Sequence, residues 1–335
     1  MDADFFAQIE RAVRNDMSPE QVVRIETAAR EFSARHCVDV LLAGKAVALE
    51  ESRVCPLCGT EDAVKNGRDR RGLQRFICRG PNCGRSFTAV TTTWLSGMRM
   101  PDKWLDFTQC LEDQRSLTWI HQHLGISRKT GFAWRKRFLG SVAGLPAETL
   151  GGVVEVDEAY FIRSFKGHRG WKTGNPPENR PPRYRGSGAV KRGLSSEQVP
   201  VVTGLDNSGH IVQGVLANRT DEDISAVLTL QIEIRSLICS DGHSSYPKIA
   251  EARSCEHLTI ERPIHSQEDK SRGLPKGKPG ALGLGRVNSY HENLKTSINR
   301  IFRGVSTALL PNYIALVKQQ RYKQAPIAFI QAALA

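Results

Sequence analysis

Four of the chain's eight cysteines, Cys55, Cys58, Cys78 and Cys83, fall within 29 consecutive positions, whereas Cys37, Cys110, Cys239 and Cys255 are scattered. Cys55-Pro-Leu-Cys58 and Cys78-Arg-Gly-Pro-Asn-Cys83 are two short turns, each able to aim a pair of thiols at one point. Gly59 and Gly84 follow the second cysteine of each turn, where a knuckle needs backbone freedom. In a reducing compartment such a cluster reads as a metal site, not as disulfides. Four thiolates match tetrahedral Zn²⁺ and leave no open coordination position, so this Zn²⁺ is structural. The alternative is four unligated cysteines in a loop-rich segment. Residues 51–95 are therefore read as a zinc ribbon, with residues 74–77 as a strand leading into the second pair. The scattered cysteines are read as small buried hydrophobes.

The ribbon segment also carries Lys65, Arg68, Arg70, Arg71, Arg75, Arg79 and Arg85, either a solvated basic face or a contact for nucleic-acid phosphates. The whole chain leans the same way: 47 Lys plus Arg against 35 Asp plus Glu give a net charge of +12. Its 335 residues, 40% of them hydrophobic, suit two or three domains with a real core and exclude wholesale disorder. No apolar run approaches the ~20 residues that span a bilayer. The acidic start, Met1-Asp2-Ala3-Asp4, is unlike a secretory signal, and a cytoplasmic location is expected. Residues 1–50 form an N-terminal helical segment, with Val22, Val23, Ile25, Ala28 and Ala29 at helical spacing. No chemistry is legible there.

Residues 101–140 are read as a helix-turn-helix. Leu117, Ile120 and Leu124 share a helical face, Gly125 breaks the run, and Ser127 is placed to cap a second helix. That helix carries Arg128, Lys129, Arg135, Lys136 and Arg137, the charge profile of a major-groove reader, with Trp134 and Phe138 free to pack on the first helix. An ordinary helical hairpin with a basic face has the same pattern.

From residue 150 the pattern alternates. Residues 153–160, 199–205 and 210–216 are β-branched runs, the last two joined by the turn signal Asp206-Asn207-Ser208-Gly209. A helix over 221–231, a strand over 236–239, a helix over 245–252, a strand over 257–260 and a long helix over 287–302 complete a βββαβαβα order. Two basic loops interrupt it. Residues 163–193 hold nine Lys plus Arg against Glu178 alone, with Trp171 and Tyr184 interleaved, and residues 270–286 are rich in Gly, Lys and Arg. Both suit a grip on DNA.

Asp157 projects from an apolar strand, and Asp241 ends a second one just before Gly242. Buried charge is costly without a partner, and two carboxylates on neighbouring strands ask for a hard divalent cation such as Mg²⁺. Two strand-end aspartates that only cap turns are the alternative. Glu155 and Glu158 are expected to point away from the face of Asp157 and are assigned no metal. His243, His265 and His291 are read as satisfied polar residues. On the last helix Asn288, Glu292 and Lys295 stand at i, i+4 and i+7 and share one face.

Taken together, the ribbon, the helix-turn-helix, Val156-Asp157-Glu158, Ser240-Asp241-Gly242 and Val287-Asn288 with Lys295 resemble the DDE transposases of bacterial insertion sequences. The zinc-ribbon-bearing insertion-sequence-1595 type is the nearest in pattern, over about residues 50–325. The resemblance implies an α/β fold, a ribonuclease-H-like catalytic domain with a mixed sheet over 150–325. It also implies Mg²⁺ or Mn²⁺ held by Asp157, Asp241 and a third ligand. In the family that ligand is commonly Glu, in some members Asn, with Lys seven positions on. Asn288 with Lys295 matches this spacing, and Glu292 is the rival. Lys295 would lie near the DNA backbone. The implied activity is strand cleavage followed by strand transfer on double-stranded DNA, the transposon terminal inverted repeats and a target, by a homodimer or higher oligomer at the nucleoid. A non-catalytic DNA-binding regulator and a nuclease that cuts without joining are the rival readings.

Overall fold

A computed structural model describes residues 11–12, 15–70, 72–179, 181, 195–260, 282–322 and 325–335. The chain divides into two compact units, Met1–Ser141 with Gln324–Ala335, and Val142–Lys323. Among the described residues no helix is long and apolar enough to cross a membrane.

The first unit opens with helix α1, Pro19–Ser52, well beyond the turns that the apolar spacing marks out. Ser18 caps it, its hydroxyl accepting the Gln21 N–H while the Gln21 side chain accepts the Ser18 N–H, and Pro19 takes the first helical position. Val38 and Leu42 are buried, whereas Cys37 is exposed, so the expectation of a buried thiol fails there. Of the other scattered cysteines, Cys110 and Cys239 are buried and Cys255 is half-buried.

Strands β1 (Ala63–Arg68), β2 (Gln74–Cys78) and β3 (Ser86–Phe87) follow as a three-stranded antiparallel sheet. Its core is small: Ala63, Phe76 and Phe87 close over Cys55 and Cys78.

Helices α2 (Trp104–Glu112), α3 (Leu117–Leu124) and α4 (Arg128–Ala143) build the helical part. Gly125 ends α3 at φ 64°, a left-handed conformation that glycine adopts without strain. The Ser127 hydroxyl accepts the Thr130 N–H at 3.0 Å, capping α4 as its sequence position predicts. Phe107 of α2 packs edge-on against Trp134 of α4, with Phe138 alongside.

In the second unit, β4 (Val153–Ile162), β5 (Gln198–Asp206) and β6 (Ile211–Val215) form an antiparallel meander. Asp206 closes the β5–β6 turn by accepting the N–H groups of Ser208 and His210, both at 2.9 Å. Helix α5 (Asp221–Leu228) with a 3-10 turn, strand β7 (Leu237–Ser240), helix α6 (Ser245–Ala252), strand β8 (Glu256–Thr259) and helix α7 (Gly285–Lys295) come next. The sheet order is β6-β5-β4-β7-β8, with β4, β7 and β8 parallel. This is the expected βββαβαβα order and a mixed sheet consistent with a ribonuclease-H-like domain. The last helix differs in one respect: its final turns, Thr296–Ile301, widen into a π-helix. Helices α8 (Leu310–Arg321) and α9 (Ile327–Leu334) end the chain, α9 within the first unit.

The sheet of the second unit is covered on both faces. On one side Val154, Val156, Val202 and Ile238 pack with Ile224 and Leu228 of α5 and Tyr246 and Ile249 of α6. On the other, α7 buries Val287, Tyr290 and Leu294, and the Tyr290 hydroxyl donates to Gln213 Oε1 of β6 at 2.8 Å.

Candidate active site

The four cysteine sulfurs lie within 4.8 Å of one another. Zn–S bonds of about 2.3 Å in a tetrahedron set sulfurs about 3.8 Å apart. The separations here, 3.9 Å between Cys55 and Cys83 and 3.5 Å between Cys58 and Cys78, fall either side of that value and are far too long for a disulfide. Gly59 at φ 77° and Gly84 at φ 57° provide the left-handed turns. The Thr60 hydroxyl, 3.3 Å from Cys58 Sγ, draws that thiol down to about 6. Cys78, although bonded to the Gly80 N–H, is pushed up to about 12 by burial and the neighbouring sulfurs. Sulfurs this close cannot all ionise without a cation among them. The cluster fits a zinc ribbon.

A second group forms in the sheet, where carboxylate oxygens of Asp157, Glu158 and Asp241 lie within 4.8 Å of one another. The cause is the length of β7. Its parallel ladder with β4 covers only Val153, Val154 and Glu155, so Asp157 and Glu158 stand on an unpaired edge of β4, with Asp241 just beyond Ser240. This is the crevice past the carboxyl ends of parallel strands where α/β folds bind ligands. Gly242, at φ 89°, turns the chain away, and a Cβ there would come within 2.9 Å of Thr259 Cγ2.

The expectation for the two flanking glutamates is corrected. Glu158 leaves β4 on the opposite face from Asp157, yet at a free edge both carboxylates reach around to one place. It is buried, accepts the Tyr246 hydroxyl at 2.6 Å, and pairs with Arg219 Nη2 at 2.9 Å. Burial, together with the Glu158 charge, drives the Tyr246 hydroxyl well above its usual range, so it stays a donor. Glu155, two residues before Asp157, shares its face by strand alternation. Its buried carboxylate accepts the N–H groups of Arg286 at 2.8 Å and Val287 at 3.0 Å and binds the Arg286 guanidinium at 2.7 Å. It thus caps the start of α7 from within the sheet, where a negative charge also meets the helix dipole favourably.

Arg219 was not singled out by sequence. The loop before α5 fixes it: Asn218 N–H bonds Asp223 Oδ2 at 2.9 Å, and Thr220 caps α5 by accepting the Asp223 N–H. Its Nη2 also lies 4.0 Å from Asp241 Oδ2. The one available signal was its place between a strand end and an acid-opened helix.

From α7, His291 approaches the site, its Nδ1 3.6 Å from Asp157 Oδ2, and its buried Nε2 has no hydrogen-bond partner among the described residues. It is therefore not the satisfied histidine of the sequence reading. His243 does find a partner, with Nδ1 2.9 Å from Ser245 Oγ, and His265 lies outside the described residues. Asn288, in the first turns of α7, is exposed. Glu292 is exposed and pairs with Lys295 at 3.0 Å, and it is not a member of the carboxylate group.

The five basic residues of the second helix part company. Arg128, Lys129 and Lys136 are exposed. Arg135 is buried, its Nη2 donating to the Arg115 carbonyl at 2.6 Å, and Arg137 donates to the carbonyls of Trp94, at 3.2 Å, and Ser96. Phe132 is exposed one turn after Arg128 and Lys129. On the ribbon, Lys65, Arg68, Arg70, Arg79 and Arg85 are exposed and Arg75 half-buried, while Arg71 lies outside the described residues. So do residues 180 and 182–194 of the first basic loop and 261–281 across the second.

A family model described as the ISXO2-like transposase domain matches residues 149–321. Two solved structures, a pre-cleavage Mos1 transpososome and the Mos1 strand transfer complex, align at 12% and 11% identity. Each alignment covers 68% of this chain and 76% of the other, with TM-scores of 0.20 and 0.19. No curated protein matches the chain.

Proposed function

Because the chain belongs to the ISXO2-like transposase family, we propose that it cleaves the DNA ends of a mobile element and joins them to a target. The observation that carries the reading is the convergence of Asp157, Glu158 and Asp241 at the free edge of β4. An all-oxygen donor set suits Mg²⁺ or Mn²⁺ rather than a thiophilic metal. A divalent ion held there supplies Lewis-acid stabilisation of the phosphodiester oxygens during an in-line displacement.

The chain's own groups do the rest. Asp157 and Asp241 are the proposed ligands, with the third from α7: Asn288, or Glu292 one turn later. Glu155 fixes that helix against the sheet. Glu158, locked by Tyr246 and Arg219, holds negative charge at the back of the site. Lys295 offers an ammonium to a DNA phosphate. Arg128, Lys129 and Lys136 form the duplex-binding face of α4, whereas Arg135 and Arg137 brace the unit from within. The ribbon, with Zn²⁺ on Cys55, Cys58, Cys78 and Cys83, adds cationic surface. The protein would act at cytoplasmic DNA as at least a dimer, since two ends meet one target.

The test incubates full-length protein with Mg²⁺ or Mn²⁺ and labelled DNA bearing its own element ends, scoring cleaved and joined products separately. Wild type is expected to do both, and Asp157→Ala, Asp241→Ala and Asn288→Ala neither. Loss with Glu292→Ala but not Asn288→Ala moves the third ligand by one turn. Binding without any metal-dependent cut overturns the catalytic reading in favour of a regulator, and cleavage without joining in favour of a nuclease.

A further inference from the structure

Beside the carboxylates the second unit holds a cleft of about 390 Å³. Tyr160 of β4, Arg163 just after it, Ser195 and Gln198 at the entry to β5, and Arg219 are among the residues that line it. Arg219 belongs to both places, since it also pairs with Glu158. Each of these five residues buries a polar atom that has no hydrogen-bond partner among the described residues: Tyr160 Oη, Arg163 Nε, Ser195 Oγ, Gln198 Oε1 and Arg219 Nε. Folded chains leave few such groups unpaired, because each forfeits its bonds to water, and a cluster of them at one cleft marks polar capacity kept for something else.

The chemistry of the set narrows what that is. The Tyr160 hydroxyl, protonated at neutral pH, can donate. With the Nε–H groups of two guanidiniums, whose Nη atoms pair with Glu178 at 3.2 Å and Glu158 at 2.9 Å, it makes a donor set that suits a phosphate. Gln198 Oε1 only accepts, and a bare phosphate diester has no proton to give it. A nucleobase carries such an N–H.

We propose that this cleft is a nucleotide subsite, which takes one phosphorylated nucleotide unit of a DNA strand, its phosphate on Arg163 and Arg219 and its base edge on Gln198 and Ser195. That the unit is the one beside the bond being cut rests on the transposase reading; the affinity of the cleft for a nucleotide does not. Arg219 would then be shared between phosphate in the cleft and the Glu158 carboxylate it already pairs with. Filling the subsite draws the guanidinium towards the DNA.

The experiment uses the full chain in EDTA with a 5′-phosphorylated pentathymidylate carrying one 5-iodouracil. Affinity is measured by fluorescence anisotropy, and the photo-cross-link is mapped by mass spectrometry. Wild type is expected to cross-link at Tyr160, and the double variant Ser195→Ala/Gln198→Ala to bind the oligonucleotide about tenfold more weakly. Binding of a blunt duplex and the melting temperature of the same sample should stay unchanged. An unchanged oligonucleotide affinity in the double variant, or cross-links confined to residues 55–143, overturns the proposal. Full competition by millimolar inorganic phosphate overturns it in favour of a plain anion site. A protein that cross-links at Tyr160 but cuts no element-end DNA loses the transposase reading and keeps the subsite. One that cuts DNA with no cross-link in the cleft does the reverse.

Discussion

The zinc-ribbon segment and the five-stranded sheet each gather acidic ligands around a point, but they are held together in opposite ways. The ribbon core has five buried residues, two of which, Cys55 and Cys78, are ligands themselves. On one face of the large sheet the core has thirteen buried residues, from Leu150 to Ala250, none of them a carboxylate of the site. In the ribbon, then, the cysteine cluster is the core, so binding a metal there would be part of folding. In the sheet the carboxylates stand at the edge of a core that apolar burial already supports. A structural site can be destroyed by removing its ion; a chemical site of this kind should be silenced without unfolding.

The sharpest way to break this contrast is to remove Zn²⁺. Structural zinc contributes on the order of 10 kcal/mol to small domains. Cys58→Ser or a strong chelator should therefore erase hydrogen-exchange protection in β1 and β2 while β4 and β5 keep theirs. Equal loss in both units would show that they do not fold separately.

Next in size are Asp157→Asn and Asp241→Asn. Each should lower end cleavage by about 10² to 10³-fold. The melting temperature should hold or rise, because three carboxylates within 4.8 Å repel one another when no cation is present. A clear fall in stability would mean that these aspartates are structural.

Glu155→Gln lies between the two classes, since this buried carboxylate serves the fold and the site at once. Losing its charged bonds to the start of α7 should cost about 1–3 kcal/mol. Hydrogen exchange should speed up at the amides of Arg286 and Val287 first. Cleavage should fall with it, through the placement of α7.

The smallest effect is expected from pH, at a carboxylate away from both clusters. Glu148 accepts the Tyr322 hydroxyl at 2.6 Å and pairs with Lys318 at 3.2 Å. Burial alone would raise its proton affinity, but the Tyr322 and Ile211 hydrogen bonds and the Lys318 charge outweigh it and hold Glu148 below the usual value of 4.5. Its contribution to stability is thus present above pH 4.5 and is lost as the pH falls through the depressed native value. Glu148→Gln should lower the melting temperature slightly at neutral pH, change it little in acid, and so flatten the acid limb of the profile.

The elements themselves were largely legible. Alternation and turn residues placed all five strands of the large sheet to within two residues of their observed ends, and the order of helices between them, because each signal is local. The cysteines were legible for the same reason: each pair sits in one turn, so spacing alone brings its thiols together. Where signals were read as if the sheet were uniform, they failed. Alternation assigned Glu158 to the far face, which it occupies, but the short β7 left that edge open and let its carboxylate join Asp157 and Asp241.

Sequence by itself therefore determined the two cysteine turns, the strand and helix order, the family pattern and the places of Asp157 and Asp241 at the strand ends. Only the tertiary structure decided which of the basic residues on α4 are exposed, what Glu155 holds, and that Arg219, Tyr246 and His291 belong beside those aspartates. The reason is range. Hydrogen-bonding and apolar periodicities act over a few residues and are written along the chain, whereas a buried charge is settled by whichever distant group reaches it first, and that depends on how long each neighbouring strand runs.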